Sequence, residues 1–351
     1  MNFSNTLIYW YLQTKRDLPW RKTRDPYLVW LSEIILQQTR VSQGMSYYLA
    51  FSSVFPTVED LANAEESKVL KMWQGLGYYS RARNLHFTAK YVFNELDGKF
   101  PTSYKDLVKL KGIGDYTASA ISSICFDEHA AVVDGNVYRV LARFFKIDTP
   151  INSTKGIKEF KSLAQSLLDK KSPGVYNQAI MDFGALQCKP KNPNCHQCPI
   201  NSNCIAFDKK LVKELPVKER KLKVKKKYFN FIVFVTKENT TIFEERKGKG
   251  IWQGLFQFPL IETVKEVQLN DLINLSDFKV LVPANSVIQL FNQNSIVHKL
   301  SHQHLLTKFW IIKTDYHQNA TTHWDALELF PTSVLIANFM KEYNSKFNQI
   351  F

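Results

Sequence analysis

Acidic side chains are in short supply. The chain of 351 residues carries 32 Asp and Glu against 46 Lys and Arg, for a formal net charge of +14. Such an excess favours a polyanionic partner, nucleic acid first and an acidic membrane surface second. Long apolar runs are lacking too. None approaches the ~18 residues of a membrane-spanning helix, so no span is expected. The opening stretch MNFSNTLIYWYLQTKRDLPW has no basic segment ahead of its apolar part and does not read as a signal peptide. It reads as an amphipathic helix with Leu7, Trp10 and Tyr11 on one face. Fixed-period repeats are absent, as is low-complexity sequence outside one lysine-rich stretch. Cysteine is scarce, with five in the chain. Four of these stand together.

Cys188, Cys195, Cys198 and Cys204 are spaced C-x6-C-x2-C-x5-C within CKPKNPNCHQCPINSNC. Pro and Asn favour turns, and turns let a short segment wrap one metal centre. Four thiolates form a soft ligand set, suited to an iron–sulfur cluster or to zinc, and ligand chemistry alone does not separate the two. Two disulfides are disfavoured because nothing marks the chain as secreted, and unpaired thiols fit a reducing cytoplasm. His196 is surplus to a complete set of thiolates. Cys125, in SAISSICF, reads as a buried helix residue.

Residues 1 to about 208 read as helical. Amphipathic segments, among them Val29–Gln43, Glu65–Trp73, Tyr104–Leu110 and Tyr116–Cys125, alternate with Gly-, Pro- and Asn-rich turns. The stretch KKLVKELPVKERKLKVKKK, residues 209–227, holds ten basic and two acidic residues. It reads as an extended, solvated linker, either a plain spacer or one that touches phosphates. From Tyr228 the periodicity turns strand-like. FNFIVFVTKENTTIFEER suggests two strands about a turn, and SHQHLLTKFWIIKT another.

LVKLKGIGDYTASAI has the layout helix, hairpin, helix. Gly112 and Gly114 are expected to allow positive φ and close backbone approach. The N–H groups opening the second helix could then hold a phosphate, gripping a nucleic-acid backbone without reading its sequence. Further on, AAVVDGNVYRVLARF places Asp134 at a helix N-terminus, where it would accept backbone N–H bonds and stay ionised. It serves there either as a cap only or as a fixed carboxylate facing a developing cation.

The cysteine loop resembles that of the endonuclease III and MutY family of DNA glycosylases, which holds a [4Fe–4S] cluster. The hairpin followed by Asp134 resembles the helix–hairpin–helix–Gly/Pro–Asp superfamily that contains the same family. LPWRKTRDPYLVWLSEIILQQTRV, residues 18–41, is similar to the signature of MutY-type adenine DNA glycosylases. Together these imply an α domain followed by an α+β domain. The first is an all-helical helix–hairpin–helix glycosylase fold over 1–208, with a six-helix barrel subdomain at about 23–130 and a cluster subdomain from 1–22 plus 131–208. The basic linker 209–227 leads to a Nudix-like domain over 228–351.

The resemblance also implies roles. Lyase members carry a lysine where this chain has Tyr116, so a monofunctional hydrolase is implied. Glu33, one carboxylate in an apolar helical stretch, would protonate adenine and later help activate water. Without the family it could equally be a core-edge carboxylate paired with Arg21 or Arg40. Asp134 would stabilise the sugar cation or bond to it briefly, with Tyr116 and Asn136 positioning it and the water. Trp20, Arg21, Leu36 and Gln178 would surround the extruded base, though Trp20 and Leu36 could also be core. Gln38 and Tyr79 would fill the stack beside the opposite base, though Tyr79 could pack internally. Arg81 and Arg83 would contact phosphates, as would the Gly112–Gly114 hairpin.

KGKGIWQGLFQFPLIET resembles a Nudix segment, yet no R-E-x-x-E-E metal box follows Pro259. Recognition rather than pyrophosphate hydrolysis is implied. In HKLSHQH, Ser301 and His302 match the positions that sense 8-oxoguanine, and Leu300 stands where the family usually has Phe. The implied partner is double-stranded DNA with adenine opposite 8-oxoguanine or guanine. The protein would act as a cytoplasmic, nucleoid-associated monomer without a membrane. Two other readings are weighed against this one. A pyrimidine glycosylase/lyase is opposed by Tyr116, and a non-catalytic iron–sulfur protein leaves Glu33 and Asp134 without a role.

Overall fold

The computed structural model describes residues 2–219 and 224–347. The chain forms two compact units, Met1–Asn63 with Asn84–Arg220, and Ala64–Arg83 with Lys221–Phe351. No described helix is long and apolar enough to cross a membrane.

The first unit is helical. The Pro26–Leu36 helix starts with Pro at its first position and with the Asp25 side chain capping the Tyr27 N–H. It buries Trp30, Leu31, Ile34 and Ile35. Where the periodicity suggests one helix over Val29–Gln43, the chain instead breaks at Gln38, which is left-handed at φ +56°, and restarts as Val41–Val54. Apolar periodicity carries through such a break, because both helices bury the same kind of face.

The hairpin lies between a Ser103-capped turn, Tyr104–Leu107, and the Asp115–Phe126 helix. Leu107 and Leu110 are buried. Gly112 has φ +82°, and a Cβ there would stand 2.7 Å from Cβ of Asn84, so both conformation and space require glycine. Gly114 departs from expectation. Its φ is −88°, its surroundings are open, and it caps the helix without strain.

The amphipathic Phe3–Thr14 helix turns Leu7 and Tyr11 inward and lies against the Pro173–Asp182 helix. Ser4 Oγ donates to Leu167 O at 2.6 Å, Tyr11 Oη donates to Gln178 Oε1 at 2.6 Å, and Trp10 sits edge-on to Phe183 at 5.0 Å. A wide helical turn, Phe183–Gln187, then delivers Cys188. The described part of the basic stretch is not the free extended spacer expected. Leu215 is buried in the helical core, and Leu211, Val212 and Val217 pack beside it. Lys209, Lys210, Lys213 and Lys218 stay exposed. Residues 220–223 lie outside the described residues.

The second unit is α+β. Its central strand, Lys225–Thr236, begins before Tyr228, the expected start. It runs parallel to Gln303–Thr314 and antiparallel to Leu260–Thr263. Val287–Leu290 and Ile296–Lys299 pair antiparallel with Gln303–Thr314. Phe229, Phe231 and Phe309 pack on one face with Leu335, Ile336 and Phe339 of the C-terminal helix. Ile232, Phe234, Trp310 and Ile312 pack on the other with Phe278. Cover on both faces explains why FNFIVFV is almost continuously apolar. The Glu66–Met72 helix, expected within the helical domain, belongs to this unit.

Candidate active site

A cavity of about 990 Å³ opens in the helical unit, and both candidate carboxylates line it. Glu33 comes from the Pro26–Leu36 helix and Asp134 from the cap of the Gly135–Phe145 helix. Trp20, Arg21, Leu36, Gln38, Tyr116, Asn136 and Gln178 line the same space, as does Gly114. Burial pushes the Glu33 carboxyl up to about 7, with Asp134 adding to the rise and hydrogen bonding from Tyr116 and the charge of Arg21 opposing it. The Tyr116 hydroxyl also lies 3.1 Å from Met181 Sδ, and burial holds its proton firmly.

Asp134 is gripped by three N–H donors. Oδ1 accepts from Asn136 N at 2.9 Å and Val137 N at 2.8 Å, while Oδ2 accepts from Asn136 Nδ2 at 2.7 Å. The expectation of a capped and therefore ionised carboxylate omitted burial, which raises its proton affinity despite these donors. The result is a carboxylate whose position and orientation are fixed before anything binds.

Arg21 does not pair with Glu33 as its main partner. Its guanidinium forms a fork on Asp182, at 2.6 and 2.8 Å, and Arg16 reaches the same carboxylate. Asp182 is 1% exposed. Burial opposes its charge, yet the two arginines outweigh this and hold its carboxyl below the usual range. Trp20 is buried edge-on against Tyr48 at 5.0 Å, so it is at once a core residue and a cavity wall.

A second arginine leads from Asp134 to the cysteines. Arg139 donates to Asn136 Oδ1 at 2.8 Å, Gly184 O at 2.6 Å and Cys188 O at 2.7 Å. One turn on, Arg143 donates to Lys189 O at 2.8 Å and lies 3.4 Å from Cys188 Sγ. Cys188, Cys195, Cys198 and Cys204 all line one small cavity of about 30 Å³. Among the described residues, no three Cys, His, Asp or Glu converge as a single-ion site. Four thiols around a common space form the soft donor set that an iron–sulfur cluster takes. Burial raises the Cys195, Cys198 and Cys204 thiols, Cys198 to about 11. The residues present therefore fit the cluster.

The remaining expected residues lie in the second unit. Tyr79 is buried and donates to Thr332 O at 3.0 Å, so it is a core residue and not a free wedge. Its neighbour Tyr78 is 50% exposed, left-handed at φ +48°, and its hydroxyl lies 2.5 Å from Ser301 Oγ. Arg81 donates to Leu76 O and Gly77 O at 3.2 Å and covers the Trp73 ring at 5.1 Å. Burial lowers its pKa to about 10. Arg83 donates to Gln253 O at 2.6 Å. Both arginines, expected on phosphates, donate to backbone carbonyls here. Ser301 and His302 are exposed at the tip of the hairpin that joins Ile296–Lys299 to Gln303–Thr314. Leu300 is partly buried against the core, an apolar role that leucine fills.

Sequence reasoning passed over Asp182, Arg139, Arg143 and Tyr78. Arg139 and Arg143 stand one helical turn apart in NVYRVLARF, flanking the buried Val140, and that spacing marks them as buried. No comparable local signal separates Tyr78 from Tyr79.

The chain matches the HhH-GPD superfamily of base excision DNA repair proteins over residues 31–166, and the iron-sulfur binding domain of endonuclease III over 188–204. It is 38% identical over 262 residues to the adenine DNA glycosylase of Buchnera aphidicola subsp. Schizaphis graminum, covering 74% of this chain and 75% of that protein. It is 35% identical over 313 residues to the enzyme of the same name from Buchnera aphidicola subsp. Baizongia pistaciae, covering 88% and 86%. Among solved structures, a thermostable thymine-DNA glycosylase aligns with TM-score 0.55 and 31% identity, over 59% of this chain and 95% of that one.

Proposed function

The chain belongs to the adenine DNA glycosylases, base excision repair hydrolases of N-glycosyl bonds with an iron–sulfur cluster, and we propose that it removes adenine opposite 8-oxoguanine or guanine by a monofunctional, two-carboxylate mechanism. One observation carries this reading. Glu33, held by burial at about 7, and Asp134, fixed by three N–H donors, line the same cavity.

Adenine must leave the duplex to reach that cavity. Trp20, Leu36, Arg21 and Gln178 receive it there. Glu33 is poised to carry a proton near neutral pH and gives it to the departing base, which leaves as a neutral molecule. Positive charge then develops on the sugar, and Asp134 faces it, either as a counter-charge or by a brief covalent bond. Tyr116 and Asn136 hold these groups in place. The ionised Glu33 takes a proton from the incoming water, which completes hydrolysis. Tyr116 has no amine, so no Schiff base forms with the sugar. Cys188, Cys195, Cys198 and Cys204 would hold the [4Fe–4S] cluster, whose iron–thiolate bonds would tie the loop at 188–204 together.

Gly112, Gly114 and the first turn of the Asp115–Phe126 helix grip one strand's backbone. Ser301 and His302, with Tyr78 in place of Tyr79, read the base opposite adenine. The enzyme works as a monomer on duplex DNA in the cytoplasm. The test is a single-turnover assay on duplexes with adenine opposite 8-oxoguanine, guanine, cytosine and thymine, with and without alkali. Alkali-dependent cleavage of the adenine strand, fastest opposite 8-oxoguanine, is expected. No excision from protein with an intact cluster overturns the reading.

A further inference from the structure

The loop between Arg246 and Leu255 touches two segments proposed to read the opposite base. It is closed by Arg246 N to Leu255 O and Gly254 N to Arg246 O, both at 2.9 Å. On one side Arg83, five residues after Tyr78, donates to Gln253 O at 2.6 Å. Gly254 lies so near the Glu66–Met72 helix that a Cβ would stand 3.1 Å from Leu70 Cδ1. On the other side Trp252 meets the His298 ring at 5.6 Å and the Phe229 ring at 6.2 Å. His298 lies on the strand Ile296–Lys299, whose hairpin carries Ser301.

Trp252 holds a left-handed backbone, φ +60°. For a bulky residue that conformation is uncommon and costs about 1–3 kcal/mol, so the surroundings must enforce it. Trp252 is partly buried and packs at the edge of the core of this unit. What the strained backbone achieves is placement of an indole against the root of the Ser301 hairpin. The other flank of the loop is tied to the Tyr78 segment.

We propose that Trp252 is a positioning residue for opposite-base recognition, holding the Ile296–Gln303 hairpin through His298 so that Ser301 meets Tyr78. The inference rests on the proposed reading role of Ser301. An aromatic ring in contact gives the hairpin one preferred position, whereas loss of the indole leaves it free to tilt about its strand root. The specificity of the site then falls while the cavity around Glu33 and Asp134 is untouched.

The test compares single-turnover excision of adenine opposite 8-oxoguanine and opposite guanine, using the full chain with its cluster. Variants are Trp252→Ala, Trp252→Phe, Ser301→Ala and Trp252→Ala with Ser301→Ala. Trp252→Ala is expected to lower the ratio of the two rates by about tenfold, with the guanine rate unchanged, and Trp252→Phe to restore most of it. In the Ser301→Ala background, Trp252→Ala should change the ratio no further, because its effect passes through Ser301. Equal losses on both duplexes, or additive effects of the two substitutions, overturn the proposal. If Ser301→Ala alone leaves the ratio unchanged, the reading role of Ser301 fails instead. Should Trp252→Ala not fold, Trp252→Leu takes its place. Full specificity in that variant also overturns the proposal.

Discussion

The hydroxyl of Tyr78 lies 2.5 Å from Ser301 Oγ, although 223 positions separate them in sequence. One residue follows a glycine-rich turn after the Glu66–Met72 helix, and the other sits at the tip of a β-hairpin. Both are exposed, and both present hydroxyls that can donate and accept. An exposed pair of this kind contributes little to stability. It does present two polar groups in a fixed relation, which the proposed reading of the opposite base requires.

Duplex preference should therefore follow Tyr78 and not Tyr79. Ser301→Ala with His302→Ala, or Tyr78→Phe alone, lowers the preference for adenine opposite 8-oxoguanine and spares excision opposite guanine. Tyr79→Phe leaves preference intact but removes a buried bond to Thr332 O, costing about 1 kcal/mol of stability. Single-turnover rates on the two duplexes and thermal melting separate these effects.

Excision should weaken as pH rises through the Glu33 transition. The protonated form is the donor, so the rate falls above about 7. Glu33→Gln removes the step and lowers the rate by roughly 10²–10⁴. The same substitution moves stability the other way. The folded pKa is raised, so Glu33 destabilises the fold progressively as pH climbs from its unfolded value toward 7, and Glu33→Gln relieves this. Its melting temperature should exceed the parent's at pH 8 and match it at pH 4. A flat pH–rate profile between 6 and 9 sinks the assignment of Glu33 as the acid.

Borohydride should trap no covalent enzyme–DNA adduct. Tyr116 stands where lyase relatives are expected to carry lysine, and its proton is held firmly by burial. Abundant trapped adduct under conditions of complete adenine excision contradicts the monofunctional mechanism.

Arg139→Met should damage both the cavity and the cysteine loop. The guanidinium joins Asn136 Oδ1 to the Cys188 carbonyl, and both acceptors lose a charged donor at once. Expected outcomes are a fall in iron content, bleaching of visible absorption, and loss of excision beyond what the lost iron explains. Retention of full activity per iron-loaded molecule contradicts the link. Purified parent protein that is colourless and holds stoichiometric zinc contradicts the cluster itself.

Asp182→Asn should cost roughly 3–5 kcal/mol, because Arg16 and Arg21 lose their shared buried carboxylate. The Asp182 pKa is depressed in the fold, so its contribution is present above the unfolded value and disappears as pH falls through the folded one. Melting temperatures of parent and variant should therefore converge in acid.

Much of this protein is legible in one dimension because its chemistry is local. The four cysteines announce their ligand set by spacing within one loop. Asp134 announces its role as a cap by standing directly before GNVYRVLARF. Glu33 announces itself as the lone carboxylate in an apolar helix, since burial of that helix alone suffices to raise its proton affinity. Other features depend on residues that meet only in space. The sharing of Asp182 by Arg16 and Arg21, the path from Asn136 through Arg139 to Cys188, and the choice of Tyr78 over Tyr79 leave no mark on spacing. Nor could composition show that Ala64–Arg83 folds with the second unit, or that Gly114 needs no positive φ. Helix periodicity records which face is buried and not what buries it. Partner identity is set by long-range packing, and a hydrogen bond between distant residues is decided only when the backbone has brought their side chains within reach.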